Sequence, residues 1–464
     1  MKRALTVISV VSLLLAIAFA AAPYWMGMQI ESAINDAVKG MTTRTGITST
    51  NVSFSRGWLK SEANSKILLP TTPIVIDATH RIEHGPLPLS QLLSGDFAPA
   101  LALIKTTLRF TSSIKAPAGL AESLKTLPPV EIETVLDLSG NGTSIFGLAS
   151  ASHKQGETTI SWEAGKGQMQ FDRKWKKIAA EFNLPLLSIN STRGELTIKN
   201  IRLISDMYAG ATGYMLGRNQ LSVANFTMKP FLDIQDIKLS AAAQSKGQFV
   251  TIRINYGVKA LQIAKNNYGP GTLNLVIRNL DAKSLKQYEN DMNQINSRAL
   301  PQEQAQMMII GKTLELAGKL SRNNPEIELT KLSFVAPDGQ LTGKAKFVVE
   351  GKEKDLSANP MLLLTAVKGS AELSIPQSLA KAVVMPQIQR DIRNLGREGK
   401  LSQSEATDLT PEALNKIAEE VYPKYLQEIG FDRWLVKQGD TYRFSMSVNG
   451  GQVTVNGAPL SSVR

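Results

Sequence analysis

The sequence contains no cysteine among its 464 residues and only three histidines. The protein therefore forms no disulfides, has no thiolate nucleophile and cannot bind zinc or iron–sulfur clusters through cysteine. Its fold must be stable through burial of apolar side chains alone. A hydrophobic content of 43% with 20% charged residues is enough for one large core or two or three ordinary ones.

Long apolar runs are scarce too, since only the run from Ala4 to Ala22 has the length of about 20 residues that a bilayer-spanning helix needs. Lys2 and Arg3 precede it, and the next basic residue is Lys39. This asymmetry predicts an N-terminus in the cytoplasm and export of the remainder. We predict a cytoplasmic N-terminus at 1–3, a single-pass transmembrane signal anchor at 4–25 and a stalk helix at 26–40.

A cleaved signal peptide is the alternative interpretation of this segment. Ala18-Phe19-Ala20, followed by Ala21, offers a small-residue cleavage site. The run is longer than the about 7 to 15 residues of a signal h-region, which favours an anchor that is retained.

The net charge is +12 and the isoelectric point is near 9.5. Such a charge can indicate nucleic acid binding, but export removes those partners. The membrane, through the N-terminal helix, envelope proteins and anionic lipid remain as expected partners. A solvated surface that keeps the protein soluble is the simpler explanation of the charge. The sequence defines no oligomeric state.

Alternating apolar and polar residues predict strands over much of the chain. From Ile74 to His84 the period is two, and Gly85-Pro86 should end that strand. FSRGWLKSEA resembles two strands with a tight connection, and Asn449-Gly450 predicts a C-terminal hairpin.

FSRGWLKSEA, the HGPLPL turn and the closing GGQVTVNGAPL resemble the YdgA-like family of bacterial inner-membrane-anchored proteins, whose molecular function is not established. The resemblance extends over nearly the whole chain. It implies an anchor in the bacterial inner membrane with the bulk of the chain in the periplasm, and it supplies no catalytic residues.

A weak internal repeat occurs in GELTIKNIRL, FLDIQDIKL and IELTKLSF. In each, two alternating apolar pairs flank two polar residues, which predicts a kink or bulge that restores the same face of the strand. Repeated kinks favour a long curved antiparallel sheet with one apolar and one polar face. Chance similarity among β-rich segments is the alternative.

Two shorter stretches carry candidate aromatic residues. Ile160 and Trp162 are predicted to face Met169 and Phe171 across a hairpin closed by Gly165-Lys166-Gly167. We interpret KWKKIAAEFNLP as a short helix or loop rim whose three lysines around Trp175 form a basic patch facing the membrane interface, with an exposed helix face as the alternative.

Two helical blocks interrupt the strands, and each apolar stripe is expected to pack on a sheet. The fold class is therefore α+β and β-dominated, a long curved antiparallel sheet with two helical blocks after a transmembrane helix. The regions are a β-rich periplasmic part at 41–282, helices at 283–320, strands at 321–376, helices at 377–430 and a hairpin at 431–464.

His80, Glu83 and His84 are the only cluster with metal-like spacing. On a strand the two histidines share a face but stand about 13 Å apart, too far for one ion, so we predict no metal site. His84 is interpreted as a turn-stabilising hydrogen-bonding residue before Gly85-Pro86. The candidate structural or ligand-contact residues are His80, His84, Trp58, Trp162 and Trp175.

Each catalytic template is incomplete. The G-x-S-x-G motif is missing, and Gly311-Lys312-Thr313 lacks the leading glycine of a phosphate loop because Gln306 occupies that position. Glu131 and Glu133 lie two apart on a strand and should face solvent. We therefore expect no enzyme and no cofactor, and predict a non-catalytic envelope protein that acts by binding, as a scaffold or partner protein.

Two alternatives stay open. The first is binding or transfer of a lipid or amphiphile in an apolar groove of the curved sheet. The second is a hydrolase with an unrecognised site, which would require acids, or His84 and a serine, within hydrogen-bond reach.

Overall fold

The computed structural model describes residues 22–28, 30–31, 48–68, 72–112, 124–192, 194–263, 266–298, 300–337, 339–351, 365–397 and 410–460. Most of the predicted anchor, residues 4–21, and most of the predicted stalk lie outside these ranges. Among the described residues, none of the helices has both the length and the apolar character that crossing a membrane requires.

Strands dominate the described part of the chain, and their pairings are antiparallel. The strands are β1 (Thr48–Arg56), β2 (Lys60–Leu68), β3 (Ile74–His84), β4 (Ala102–Ser112), β5 (Val130–Leu136), β6 (Gly142–Leu148), β7 (Ala151–Gln155), β8 (Thr158–Trp162), β9 (Gly165–Phe171), β10 (Lys177–Ser191), β11 (Gly194–Ala209), β12 (Met215–Lys229), β13 (Leu232–Lys246), β14 (Phe249–Val258), β15 (Ala260–Ile263), β16 (Asn266–Tyr268), β17 (Gly271–Asp281), β18 (Glu326–Ala336), β19 (Gly339–Val349), β20 (Val367–Pro376), β21 (Val436–Gln438), β22 (Thr441–Asn449), β23 (Gln452–Val455) and β24 (Ala458–Pro459).

Fewer residues are helical. The helices are α1 (residues 22–28 and 30–31), α2 (Leu89–Leu93), α3 (Ala282–Ser297), α4 (Gln302–Ser321), α5 (Gln377–Arg397), α6 (Pro411–Glu428) and α7 (Phe431–Trp434). A β-dominated α+β fold with a long antiparallel sheet and a few helices confirms the predicted fold class at this level.

The chain forms two compact units. Unit 1 comprises Met1–Pro230, Ala241–Gln248 and Asp281–Leu316, and unit 2 comprises Phe231–Ser240, Phe249–Leu280 and Ala317–Arg464.

In unit 1 the strands pair in the order β1, β2, β3, β4, β5, β6, β9, β10, β11 and β12. The turn between β1 and β2 is closed by a hydrogen bond of 2.9 Å from Gly57 N to Lys60 O, as FSRGWLKSEA predicts. Ile30 of α1 is fully buried, in one core cluster with Ala63, Ile82, Ala102, Ile104 and Leu136. The N-terminal helix is thus part of the core of unit 1.

The predicted hairpin between β8 and β9 is wrong. Both strands pair with β10, β8 through Leu187–Asn190 and β9 through Ile178–Asn183. They therefore run in the same direction, end to end, along one long neighbour. A strand of 15 residues has room for two short partners in line, whereas the glycines at 165 and 167 had suggested a reversal.

KWKKIAAEFNLP is a strand and not a short helix, because β10 begins at Lys177 and continues to Ser191. Its neighbours β9 and β11 supply hydrogen bonds on both sides, so pairing overrides the helix preference of Ala179, Ala180 and Glu181. The residues before Lys177, including Trp175, form the turn that joins β9 to β10.

In unit 2, β17, β18, β19, β20, β22, β23 and β24 pair consecutively. Asn449 pairs with Gln452, which confirms the C-terminal hairpin.

The three repeats each contain the predicted irregularity. Asn200 in β11 and Asp236 in β13 have φ angles of 52°, in the left-handed region. In β18 the register shifts between Leu329 and Leu332, so Thr330 and Lys331 form a bulge. The bulge keeps Ile327 and Leu329 on the same face as Leu332, because all three oppose alternate residues of β19.

The second helical block differs from the expectation that its stripes pack on a sheet. Met385, Ile388 and Ile392 of α5 form one buried cluster with Leu414 and Ala418 of α6, so the two stripes pack on each other. The start of α6 is as the sequence predicts, since the Thr410 side chain accepts a hydrogen bond from Ala413 N at 3.2 Å.

Candidate functional site

His84 ends strand β3 and connects three segments of unit 1. Its Nδ1 lies 3.0 Å from the Trp58 carbonyl oxygen, and its Nε2 lies 2.8 Å from Ser61 Oγ. A carbonyl oxygen only accepts, so Nδ1 donates and Nε2 accepts the Ser61 hydroxyl proton. His84 thus holds the turn between β1 and β2, and Gly27 of α1 lies against its ring, where a Cβ atom would be 2.5 Å from Cε1.

The Ser61–His84 contact meets the distance that a serine nucleophile and its base would need. Both side chains are buried, however, with Ser61 2% and His84 3% exposed. Helix α1 packs directly over the ring through Gly27. The geometry therefore fits a hydrogen-bonded structural pair that a substrate does not reach.

His80 occupies the same face of β3, four residues earlier. Its Nε2 lies 3.1 Å from Ser65 Oγ and its Nδ1 lies 2.8 Å from Thr106 Oγ1. Glu83 points the other way and contacts Lys60 and Ser90. The two histidines therefore bind different hydroxyls, and across the described residues no three His, Asp or Glu side chains converge on a point that could hold a metal.

The three candidate tryptophans lie at different places in unit 1. Trp58 is 57% exposed in the β1–β2 turn, with its ring 5.6 Å from that of Tyr24. Trp162 donates from Nε1 to the Ala149 carbonyl at 2.8 Å. Trp175 stacks on Phe171 with 3.9 Å between ring centroids. Only Trp58 is brought together with His84.

Docking of helix α1 was not predicted from the sequence. The predicted stalk is instead fixed at its start, since Ile30 is buried and Glu31 pairs with Arg56 at 3.2 Å. Gly27 and Ile30, three apart, share a helix face, which is the signal that could have indicated close packing.

A different feature stands out in unit 2. On one side of β18, β19, β20 and β22 the side chains in register are apolar, and we call this side the apolar face. Its members are Ile327, Leu329, Leu332, Phe334, Leu341, Ala345, Phe347, Ala371, Leu373, Phe444, Met446 and Val448.

The opposite side of the same four strands is charged. Lys344 pairs with Glu372 at 3.1 Å and Lys346 with Glu326 at 3.2 Å. Arg278 of β17 contacts Glu326 as well. Because successive side chains of a strand point to opposite faces, these four strands have a polar face with several ion pairs on one side and the apolar face on the other.

The apolar face is not fully covered. Each of its twelve members keeps part of its surface accessible, and Ile327 is 44% exposed. The face extends about 20 Å along the strands and about 14 Å across them. The twelve side chains thus form one contiguous, partly accessible apolar surface.

Half-buried His80 and buried His84 predict a pH dependence of stability. Burial lowers the pKa of both His80 and His84, and for His84 hydrogen bonds to the Trp58 and Pro23 carbonyls oppose the effect. The unfolded chain therefore takes up protons first, near pH 6.5, and the free energy of unfolding falls as the pH drops from about 6.5 toward the lower folded-state pKa values.

Urea midpoints of the full chain in detergent, measured at pH 7.5, 6.5 and 5.5, check this prediction. The His80→Gln, His84→Gln double variant should show a flatter decline than the wild type. Equal slopes for both proteins would contradict it.

Fold and surface together define a β-dominated protein whose long antiparallel sheet separates a charged face from an accessible apolar face. The chain belongs to the family described as "Bacterial protein of unknown function (DUF945)", whose model matches residues 1–462. This confirms the family resemblance drawn from the sequence motifs.

Three similar proteins align with different shares of this chain. Protein YdgA of Escherichia coli (strain K12) is 21% identical over 99% of this chain and 95% of its own length. An uncharacterised protein of Haemophilus influenzae is 22% identical over 52% of this chain and 70% of its own. Uncharacterized protein YihF of Escherichia coli (strain K12) is 20% identical over 59% of this chain and 61% of its own.

Proposed function

We propose that this protein is a non-catalytic envelope protein, attached to the bacterial inner membrane through residues 4–25, with its two units in the periplasm, where the apolar face of unit 2 binds an amphiphile. The observation that carries the proposal is the accessible apolar face itself. Twelve apolar side chains in cross-strand register remain partly exposed, while the other side of the same strands is charged.

An acyl chain fits such a surface better than a folded protein would. In the middle of the face, small residues lie between larger apolar side chains; these are Gly343, Ala345 and Ala371. Their small size leaves a shallow depression in the apolar face. Contact with a long apolar chain removes this area from water, at about 25 cal/mol for each Å² buried.

The protein is proposed to act without catalysis. Ser61 Oγ lies 2.8 Å from His84 Nε2, and both side chains are buried below helix α1. We assign this pair to holding the β1–β2 turn and the helix in place.

Native mass spectrometry of the full chain tests the proposal. The protein is extracted from bacterial membranes in a mild detergent, exchanged into fresh detergent and released in the gas phase. The expected result is a bound amphiphile at a ratio near one per chain that survives the exchange. Release of the chain without any amphiphile, or with another protein in its place, would overturn the assignment.

A further inference from the structure

Large apolar side chains are exposed at one end of the unit 1 sheet. Trp58 and Leu59 occupy the β1–β2 turn and are 57% and 54% exposed. Leu93 and Phe97, in the segment that joins β3 to β4, are 79% and 68% exposed. Large apolar side chains that are gathered in one patch, and not scattered singly, mark a surface that contacts another molecule or a membrane.

Direct contacts bring these residues to the same end. His84 N donates to Leu59 O at 2.8 Å, so the end of β3 lies beside the β1–β2 turn. The Glu83 carboxylate accepts from Ser90 N at 2.7 Å and pairs with Lys60 at 3.0 Å. Helix α2, which carries Leu93, is thereby fixed next to the turn that carries Trp58 and Leu59.

Helix α1 reaches the same surface from the N-terminal side. Its Tyr24 ring lies 5.6 Å from that of Trp58, and the neighbouring Trp25 is 55% exposed. In the sequence, the apolar run from Ala4 to Ala22 leads directly into this helix. The chain therefore arrives at this end of the sheet straight after its longest apolar stretch.

A basic turn lies at the same end. From β3 to β9, successive cross-strand partners are His84, Ala102, Leu136, Gly142 and Phe171. The turn that follows Phe171 therefore lies at the same end of the sheet as His84. This turn, together with the first residue of β10, carries four exposed basic side chains and is called the basic turn. They are Arg173, Lys174, Lys176 and Lys177.

We propose that this end of unit 1 is a bilayer-contacting surface: Trp25, Trp58, Leu59, Leu93 and Phe97 enter the headgroup region of an anionic leaflet, and the basic turn binds its headgroups. Aromatic side chains favour that interface, and basic residues beside it are attracted to anionic lipid. The inference rests on the proposed attachment through residues 4–25. It adds that unit 1 lies against the membrane and is not merely tethered to it.

The absence of cysteine makes a site-specific test available, because one introduced thiol is the only labelling site. Leu93→Cys reports on the proposed surface. Ser152→Cys is the control: Ser152 pairs with Ser161, which pairs with Ser188, ten residues along β10 from Ile178 and so roughly 33 Å from the basic end.

Both variants of the full chain are labelled with the fluorophore NBD and reconstituted in vesicles with or without phosphatidylglycerol. At position 93 we expect blue-shifted emission and reduction by dithionite at least about fivefold slower than at position 152, with the larger effect in the anionic vesicles. The variants' circular dichroism should match that of the wild type.

Flotation of the same vesicles separates the two possible failures. If the chain floats with the vesicles but position 93 reacts as fast as position 152, the bilayer-contacting surface is wrong and the attachment stands. If the chain does not float, the attachment is wrong and the inference falls with it. Protection of position 93 in cells but not in vesicles would mean that a protein partner covers the surface, and would also overturn the proposal.

Discussion

Ala371→Asp is expected to reduce the fraction of chains that carry a bound amphiphile about tenfold or more, because a carboxylate on the apolar face would have to be desolvated by the ligand. Ala371 lies in the middle of that face, in register with Ala345 on one side and Met446 on the other. Its side chain is partly exposed. The aspartate can therefore stay hydrated until a ligand arrives.

Ser370→Asp is the matched control. The preceding residue of the same strand points to the charged face, in register with Lys346 and Ser447. The same new charge should leave the bound fraction within about twofold of the wild type, because that side already carries ion pairs. Native mass spectra of both variants give the comparison.

The two variants also test whether the apolar face is accessible. If it were a closed core, Ala371→Asp would bury an unpaired charge and unfold unit 2. We expect instead a thermal transition close to that of Ser370→Asp. Loss of folding in Ala371→Asp alone would contradict the accessible face, and equal amphiphile content in both variants would contradict binding there.

Ile30→Ala is expected to lower the free energy of unfolding of unit 1 by about 2 to 5 kcal/mol, since it leaves a cavity beside Ile82 and Ala102. This is the second large effect, and it tests the docking of helix α1. Glu31→Gln changes the next residue but removes only a partly exposed ion pair with Arg56. It should cost less than about 1 kcal/mol.

Urea unfolding followed by the fluorescence of Trp58 measures this difference, with the four other tryptophans replaced by phenylalanine. A clear loss for Ile30→Ala with little change for Glu31→Gln is expected. Two equally small effects would mean that the helix does not belong to the core.

Periodicity was enough to predict most of the strands. The alternation from Ile74 to His84 marked β3 and placed both histidines on one face, and the bulge at Thr330 and Lys331 followed from two polar residues between apolar pairs. The Asn449-Gly450 hairpin and the Thr410 cap are also local features. Each of these features depends on fewer than twelve consecutive residues.

Long-range pairing could not be predicted in the same way. Whether β8 reverses into β9 or continues along β10 depends on β10, which follows later in the chain. The helical appearance of Ala179 and Ala180 is likewise overridden by two neighbouring strands. The mutual packing of α5 and α6 also depends on which of two apolar surfaces each stripe meets.

The candidate residues were predicted unevenly. His84 is interpreted from the sequence as stabilising a turn before Gly85-Pro86, whereas in the structure its side chain contacts the β1–β2 turn through the Trp58 carbonyl. Its proximity to Ser61 and Gly27 required the pairing of β2 with β3 and the docking of α1. The apolar face was anticipated as one side of a sheet, but its twelve members come from four strands spread over about 120 residues.

Photo-crosslinking in living bacteria tests the central claim most directly. Benzoylphenylalanine is placed at Phe347 on the apolar face, or at the adjacent Lys346 on the charged face, and cells are irradiated before the full chain is purified. The account predicts an adduct with the mass of a lipid or other amphiphile at position 347 and none at position 346. A protein adduct at 347, or the same lipid adduct at both positions, would contradict it.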